Sequence, residues 1–234
     1  MHRSSIVFAL SAALAAAQGF SSECTDITLN NSWLVASCPT GDGDSITSSV
    51  FLNSKITNNN GNLEWKTDGA YRQSCEDCTV SGATLACSCT ISSLPILQAT
   101  TLDLEEYIAN YEGHLLSNQT GAITTIPANS STAVPTDFAV QLGLSTTSNA
   151  CASSGVTLGL NNPSDCFYVN PGVVLSYANG ISSTNEGWEI VAFSDLECTS
   201  DPVYTFLPAN DDTCAVFSPL AMAFSVTPLW NADY

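Results

Sequence analysis

Hydrophobic and polar positions alternate over short runs through most of the chain, and Asn, Gly, Asp and Ser punctuate the runs. In TLNNSWLVASC (28–38), β-branched and aromatic residues flank Asn30-Asn31, which predicts strand, turn, strand. LNSKITNNNGNLEW (52–65) spaces Leu52, Ile56, Leu63 and Trp65 around Asn58 and Gly61. Asn tolerates left-handed backbone and Gly has no Cβ, so this run reads as a tight turn between apolar anchors. EIVAFSDLEC, DPVYTFL and CAVFSPLAMAFSVTPLW alternate similarly, between turns at NPG, NGISSTNEG and ANDD. The pattern predicts an all-β protein of short antiparallel strands, with a small sandwich or Greek key in the second half.

The first half repeats itself. CTDITLNNSWLVASC (24–38) and CEDCTVSGATLACSC (75–89) match at an offset of 51, pairing Leu34 with Leu85 and Cys38 with Cys89. LNSKITNNNGNL (52–63) and LEEYIANYEGHL (104–115) match at an offset of 52 through Leu52/Leu104, Ile56/Ile108, Asn58/Asn110, Gly61/Gly113 and Leu63/Leu115. Two blocks in the same order at nearly the same distance mark residues 19–117 as a tandem duplication of about fifty residues.

The chain opens MHRSSIVFALSAALAAAQGF, a short basic start, an apolar run and small residues, which reads as a secretory signal peptide over residues 1–17. No later run approaches the roughly 20 apolar residues of a membrane helix, so a secreted, extracellular protein without membrane insertion is expected. Only 4 Lys and Arg stand against 22 Asp and Glu, a formal net charge of −18. Such a chain cannot neutralise phosphates, which argues against nucleic acid as a partner. Ser, Thr, Asn and Gly carry most of the polarity, a surface suited to neutral, hydroxyl-rich ligands.

Ten cysteines in a secreted chain read as disulfides. CEDC and CSC lack zinc-site spacing, and neither a metal nor another cofactor is expected. The repeat makes Cys24–Cys38 and Cys75–Cys89 the natural pairs, each closing a loop worth on the order of 3 kcal/mol. Cys78 and Cys87 remain, at positions held by Ile27 and Ala36 in the first copy. Cys75 and Cys78 fall on opposite faces of a regular strand, so both bridges require a bulge between them. Sequons mark Asn30, Asn118 and Asn129 as expected N-glycosylation sites, in keeping with secretion.

These residues resemble the cyanovirin-N homology family of carbohydrate-binding proteins. The family pattern appears at Cys24, Leu34, Cys38, Leu52, Asn53, Ile56, Asn58, Gly61, Leu63 and Trp65, and again at Cys75, Leu85, Cys89, Leu104, Ile108, Asn110, Gly113 and Leu115. The resemblance implies a pseudo-twofold, elongated β fold in which the repeats exchange parts. It also implies mannose-containing (oligomannose-type) glycans as partners, bound near the two ends without metal or catalysis. The site it favours comprises Ser22, Glu23, Thr40, Gly41, Asn110, Tyr111 and Glu112, with Pro39 beside them. The second, weaker site comprises Thr57, Asn58, Asn60, Asp68, Gln73, Ser74, Thr90 and Ser92. Pro39, Gly41, Thr57 and Ser92 depart from the residue types the family places there.

Bland roles stand beside these. Asn58, Asn110, Gly61 and Gly113 serve first as turn formers, Trp65 and Tyr71 as core, and His114 as a strand-edge residue. Asp103, Glu105 and Glu106 read as a solvated acidic face rather than a glycosidase pair. Without Gly-x-Ser-x-Gly or an assembled nucleophile and base, no enzyme is expected.

Residues 118–136, rich in Ser, Thr, Ala and Pro, read as a linker. Residues 137–234 form a second small disulfide-bonded β domain of unassigned function. Sequential pairing, Cys151–Cys166 and Cys198–Cys214, closes its shortest loops. Its acids Asp195, Glu197, Asp201, Asp211 and Asp212 offer oxygen ligands to calcium, yet without the spacing of a calcium loop they read as acidic surface. The expectation is a secreted, non-catalytic lectin-like protein; the alternative is an extracellular scaffold whose sugar sites have decayed.

Overall fold

The computed structural model describes residues 19–92, 94–118, 122–145, 156–168, 175–181, 185–210 and 215–234. The signal peptide expected over residues 1–17, and Cys151, Asp211, Asp212 and Cys214, lie outside the described residues. A short helix α1 (Phe20–Glu23) precedes β1 (Thr25–Asn30), β2 (Trp33–Pro39), β3 (Ser45–Phe51), β4 (Ile56–Asn59) and β5 (Asn62–Trp65). The second copy supplies β6 (Cys75–Ser81), β7 (Thr84–Ile91), β8 (Leu94–Asp103), β9 (Ile108–Tyr111) and β10 (His114–Ser117).

In each copy three strands form an antiparallel sheet and the next two a hairpin. The hairpins are exchanged. Leu63 N–H of β5 donates to Thr100 Oγ1 of β8 at 3.1 Å, and Leu115 N–H of β10 donates to Ser48 Oγ of β3 at 2.8 Å. Leu34, Ala36, Cys38, Leu52 and Ile56 pack with Leu85, Cys87, Cys89, Leu104 and Ile108 in one core.

Cys24–Cys38, Cys75–Cys89 and Cys78–Cys87 are bonded. The register of β6 on β7 shifts between Glu76 and Thr79, with Asp77 left-handed at φ 51°. This is the bulge that two bridges across one hairpin demand. The first copy bulges at the matching place, between Thr25 and Thr28, with Asp26 at φ 54°.

The second half adds β11 (Val140–Ser145), β12 (Val156–Leu160), β13 (Ser164–Tyr168), β14 (Leu175–Ile181), β15 (Trp188–Phe193), β16 (Pro202–Phe206), β17 (Val216–Ala221), β18 (Ala223–Pro228) and β19 (Ala232–Asp233). Two four-stranded antiparallel sheets, β12-β11-β14-β17 and β13-β18-β15-β16, share one core of Val140, Leu142, Ile190, Phe206, Phe217 and Phe224. Cys166 bonds Cys198, so the sequential pairing expected for the four cysteines of this half is wrong. Loop length governs entropy in the unfolded chain. The native sheet decides the partner: β18 lies between β13 and β15, and the turn after β15 carries Cys198 back to Cys166.

The halves are joined by more than the segment between them. Trp33 of β2 is fully buried in the second half's core. Its ring stacks on Phe138 at 5.3 Å and meets Trp230 and Trp188 edge-on, while its Nε1 donates to Asn161 O. β19 extends the first sheet by pairing parallel to β3, and Trp230 Nε1 donates to Ser49 Oγ at 2.9 Å. Lys55, buried, pairs with Asp233 at 3.1 Å.

Candidate carbohydrate site

Both candidate ends are built from one asparagine and its turn. Asn110 Oδ1 accepts the Gly113 N–H at 2.8 Å, and its Nδ2 donates to Pro39 O and to Glu23 Oε2. Asn58 Oδ1 accepts the Gly61 N–H at 2.7 Å, and its Nδ2 donates to Thr90 O and to Ser74 Oγ. In each case the partners precede the first and follow the second cysteine of the hairpin that receives the turn. Glu112 and Gly113 have φ of 50° and 92°, and Asn60 and Gly61 have 51° and 94°, so the turns are conformational twins. A Cβ on Gly113 would lie 2.4 Å from Ile46 Cγ1, so glycine is required there by contact as well as by φ. Both asparagine amides are spent on framework, and neither is spare for a ligand.

At the Asn110 end, Thr40 and Glu112 line a hollow of about 300 Å³ together with Asp42, Asp44, Ile46 and buried His114. The third wall comes from the segment between the halves, through Ile126, Pro127 and Asn129. The loop from Thr40 to Asp44 organises itself. Gly41 and Gly43 take left-handed φ, the Thr40 hydroxyl donates to Asp42 Oδ1 and Asp44 O, and Asp44 N–H donates to Asp42 Oδ1. The Thr40 hydroxyl, and next the Asp44 N–H, hold the Asp42 carboxyl below the usual carboxylate range. Ser22 stays on α1, its hydroxyl donating to Gly19 O, and Glu23 joins the group through Asn110. Tyr111, half-buried, faces His114 across the β9–β10 pair. His114 is no strand-edge residue in the exposed sense, being 3% exposed beneath the hollow.

The Asn58 end is shallower in chemistry. Gln73, Ser74 and Thr90 share a hollow with Arg72, Glu76, Asp77 and Leu97. Ser92 N–H donates to Asn60 Oδ1, and Thr57 pairs with Glu64 across the β4–β5 hairpin. Asp68 lines a different hollow, between the halves, with Phe51, Lys55, Asp165 and Tyr234.

Other sequence assignments resolve by contact. Tyr71 is fully buried, and burial pushes its phenol pKa up. Trp65 is half-buried and stacks on Tyr107 at 4.7 Å. Glu105 is not part of a solvated face: its Oε1 accepts the Ser21 N–H and ties the N-terminal segment down. The Ser200 hydroxyl, and then the N–H groups of Thr199, Ser200 and Glu197 that the Asp195 carboxylate accepts, hold its pKa well below the ordinary range. Those oxygens close a loop onto itself.

Sequence reasoning missed Asp42, Asp44, Ile46, Ile126 and Pro127 as wall residues. TGDGD at 40–44, one residue beyond Cys38, was a readable signal for the two acids. Nothing local could place Ile126 or Pro127, which reach the hollow only through the tertiary path of their segment.

Residues 20–116 match the family model of the CVNH domain, and the second half matches no family model. Among solved structures, TbCVNH of T. borchii is 27% identical, covering 43% of this chain and 99% of that one at a TM-score of 0.39. Microvirin, solved with mannobiose, is 26% identical over 42% of this chain and 95% of its own, at 0.37. A MoCVNH3 variant in complex with (N-GlcNAc)4 is 22% identical over 43% and 98%, at 0.40. By the family-model match, residues 20–116 of the chain are a CVNH domain.

Proposed function

We propose that this is a secreted, non-catalytic lectin that binds mannose-containing glycans through its Glu112 end. CVNH domains bind carbohydrate, and the observation that carries the reading here is the hollow walled by Thr40, Asp42, Asp44 and Glu112. A sugar hydroxyl is a neutral donor and acceptor, and carboxylates fixed on tight turns accept from it without reorganising. The Asp42 carboxyl, held below its usual range, stays an acceptor at every physiological pH. Ile46 and Ile126 give the apolar floor that a sugar's C–H face needs. The three acids also disfavour sialylated or sulfated sugars, since an anion would enter beside like charge. The leader-like first residues and the disulfides support secretion.

Calorimetric titration of the full chain with mannobiose tests this, with NMR shifts mapping the ligand. Binding is expected to perturb Thr40–Asp44 and Glu112, and the double substitution Asp44→Asn, Glu112→Gln is expected to weaken it about tenfold. Asn110 is the wrong residue to substitute here, because its amide holds the turn. Absence of binding to any neutral mannose or GlcNAc oligosaccharide would end the proposal.

A further inference from the structure

The three sequons differ in what their side chains are doing. Asn30 Nδ2 donates to Thr136 O, and the hydroxyl residue of its sequon, Ser32, is buried at 4% exposure. Asn118 Nδ2 donates to Glu106 O. Asn129 is exposed, as is Ser131 two residues on, and Asn129 lines the Glu112 hollow. Its backbone is pinned beside it: Ser130 N–H donates to Asn231 Oδ1 at 2.7 Å, its hydroxyl donates to Leu229 O, and Thr132 N–H donates to Ser130 Oγ. The second half thus clamps a modifiable side chain at the rim of the first half's sugar site.

We propose that Asn129 is N-glycosylated and that its glycan caps the Glu112 hollow as an intramolecular ligand, a regulation that rests on the lectin reading of this end. In the modification, Asn129 Nδ2 bonds to C1 of the terminal GlcNAc of a lipid-linked oligosaccharide donor. The C1–O bond to the lipid diphosphate breaks, the diphosphate leaves with the electron pair, and an amide proton passes to base. The attached glycan carries the neutral hydroxyls and the mannose residues the site is built to accept. A ligand tethered by a short arm acts at an effective concentration on the order of mM, enough to hold a weak site against free sugar. The Asn58 end has no sequon among the residues lining its hollow and stays open to external glycans. One chain then carries a gated site and an open one.

The test uses the full chain secreted from a glycosylating eukaryotic host. Glycopeptide mass spectrometry is expected to find Asn129 occupied. Mannobiose is expected to bind the Glu112 end about tenfold more tightly in Asn129→Gln and in Ser131→Ala than in the glycosylated protein, and enzymatic deglycosylation is expected to restore that affinity. Ser131→Ala keeps the Asn129 side chain, so agreement of the two variants assigns the effect to the glycan. An unmodified Asn129, or equal affinity in all forms, overturns the proposal. If no form binds mannobiose, the lectin reading fails, and amide hydrogen exchange decides the cap separately. Slower exchange over Thr40–Asp44 and Glu112 in the glycosylated protein than in Ser131→Ala upholds it, and equal exchange overturns it.

Discussion

The two repeats of the CVNH domain share a frame and differ on one face. In β2 the alternate residues Leu34, Ala36 and Cys38 point into the domain's own core, as Leu85, Cys87 and Cys89 do in β7. The opposite face of β2 carries Trp33 and Val35, which pack into the second half's core together with Phe51 of β3. The matching residues of the second copy are Thr84, Ala86 and Asp103, and Thr84 pairs with Asp103 as Trp33 pairs with Phe51. Two strand sets of matching frame thus give one sheet buried on both faces and one with a face in water. The difference decides where the second half docks, and so which end of the domain receives the strap that walls its hollow.

Substituting the two aligned positions should separate them most sharply. Trp33→Ala removes a ring in contact with Phe51, Phe138, Trp188 and Trp230 and leaves a cavity at the seam, at an expected cost of about 3–5 kcal/mol by urea denaturation. Thr84→Ala, at the exposed equivalent, should change stability by less than about 0.5 kcal/mol. A comparably small loss at Trp33 would mean that the halves fold without leaning on each other.

Much of this was legible before any coordinates. The repeat, the three disulfides of the first half and the bulge between Cys75 and Cys78 follow from cysteine spacing and the Leu-x-x-x-Ile-x-Asn-x-x-Gly-x-Leu frame, while the exchange of turns was implied by the family resemblance. Period-two alternation is a physical signal for a strand with one wet face, and it fails where both faces are dry. WLVASC shows no clean alternation for that reason, and comparison with TLACSC shows apolar Trp33 where the second copy has polar Thr84. The Cys166–Cys198 bridge and the Ile126–Asn129 wall were not legible, because each depends on which distant strands lie side by side. No local pattern encodes that.

The two turn glycines give the next largest contrast. Both hold left-handed φ, so alanine is strained at either. A Cβ at Gly113 would meet Ile46 Cγ1 at 2.4 Å, whereas at Gly61 the nearest atom is Ile91 Cγ1 at 2.9 Å. Gly113→Ala is expected to cost about 2–4 kcal/mol and Gly61→Ala about 1–3 kcal/mol, read as loss of thermal stability. The reverse order would show that Ile46 yields easily, and that the walled end is the more pliable.

Where the repeats are alike, their substitutions should be alike. Asn110→Ala strands the Gly113 N–H and Pro39 O, and Asn58→Ala strands the Gly61 N–H and Thr90 O. Each should cost about 1–3 kcal/mol, within error of the other. Unequal losses in denaturation would mean that Glu23 and Ser74, the partners that differ in charge, carry more of the turn than the shared backbone bonds.

The smallest effect separates the ends by pH. The loop after Cys38 is held by the Asp42 carboxylate, while the residues after Cys89 are Thr90, Ile91 and Ser92, with no acid among them. Because hydrogen bonds to the charged form lower the Asp42 pKa in the folded protein, the order they confer is fully present above the ordinary value of 3.8. It is lost only as pH falls through the lower folded value. In an Asp44→Asn background, which leaves Asp42 as the one carboxyl of the 40–44 loop, the Thr40 and residue 44 amide shifts should stay constant from neutral pH past 3.8 and move only below it. The Thr90 and Ser92 amides, tied instead to Ser74 O and Asn60 Oδ1, should not follow. A midpoint at or above the ordinary carboxylate value in the Thr40 shifts would show that Asp42 does not hold the loop. Movement of both ends together would show that the acid response belongs to the whole domain and not to the walled site.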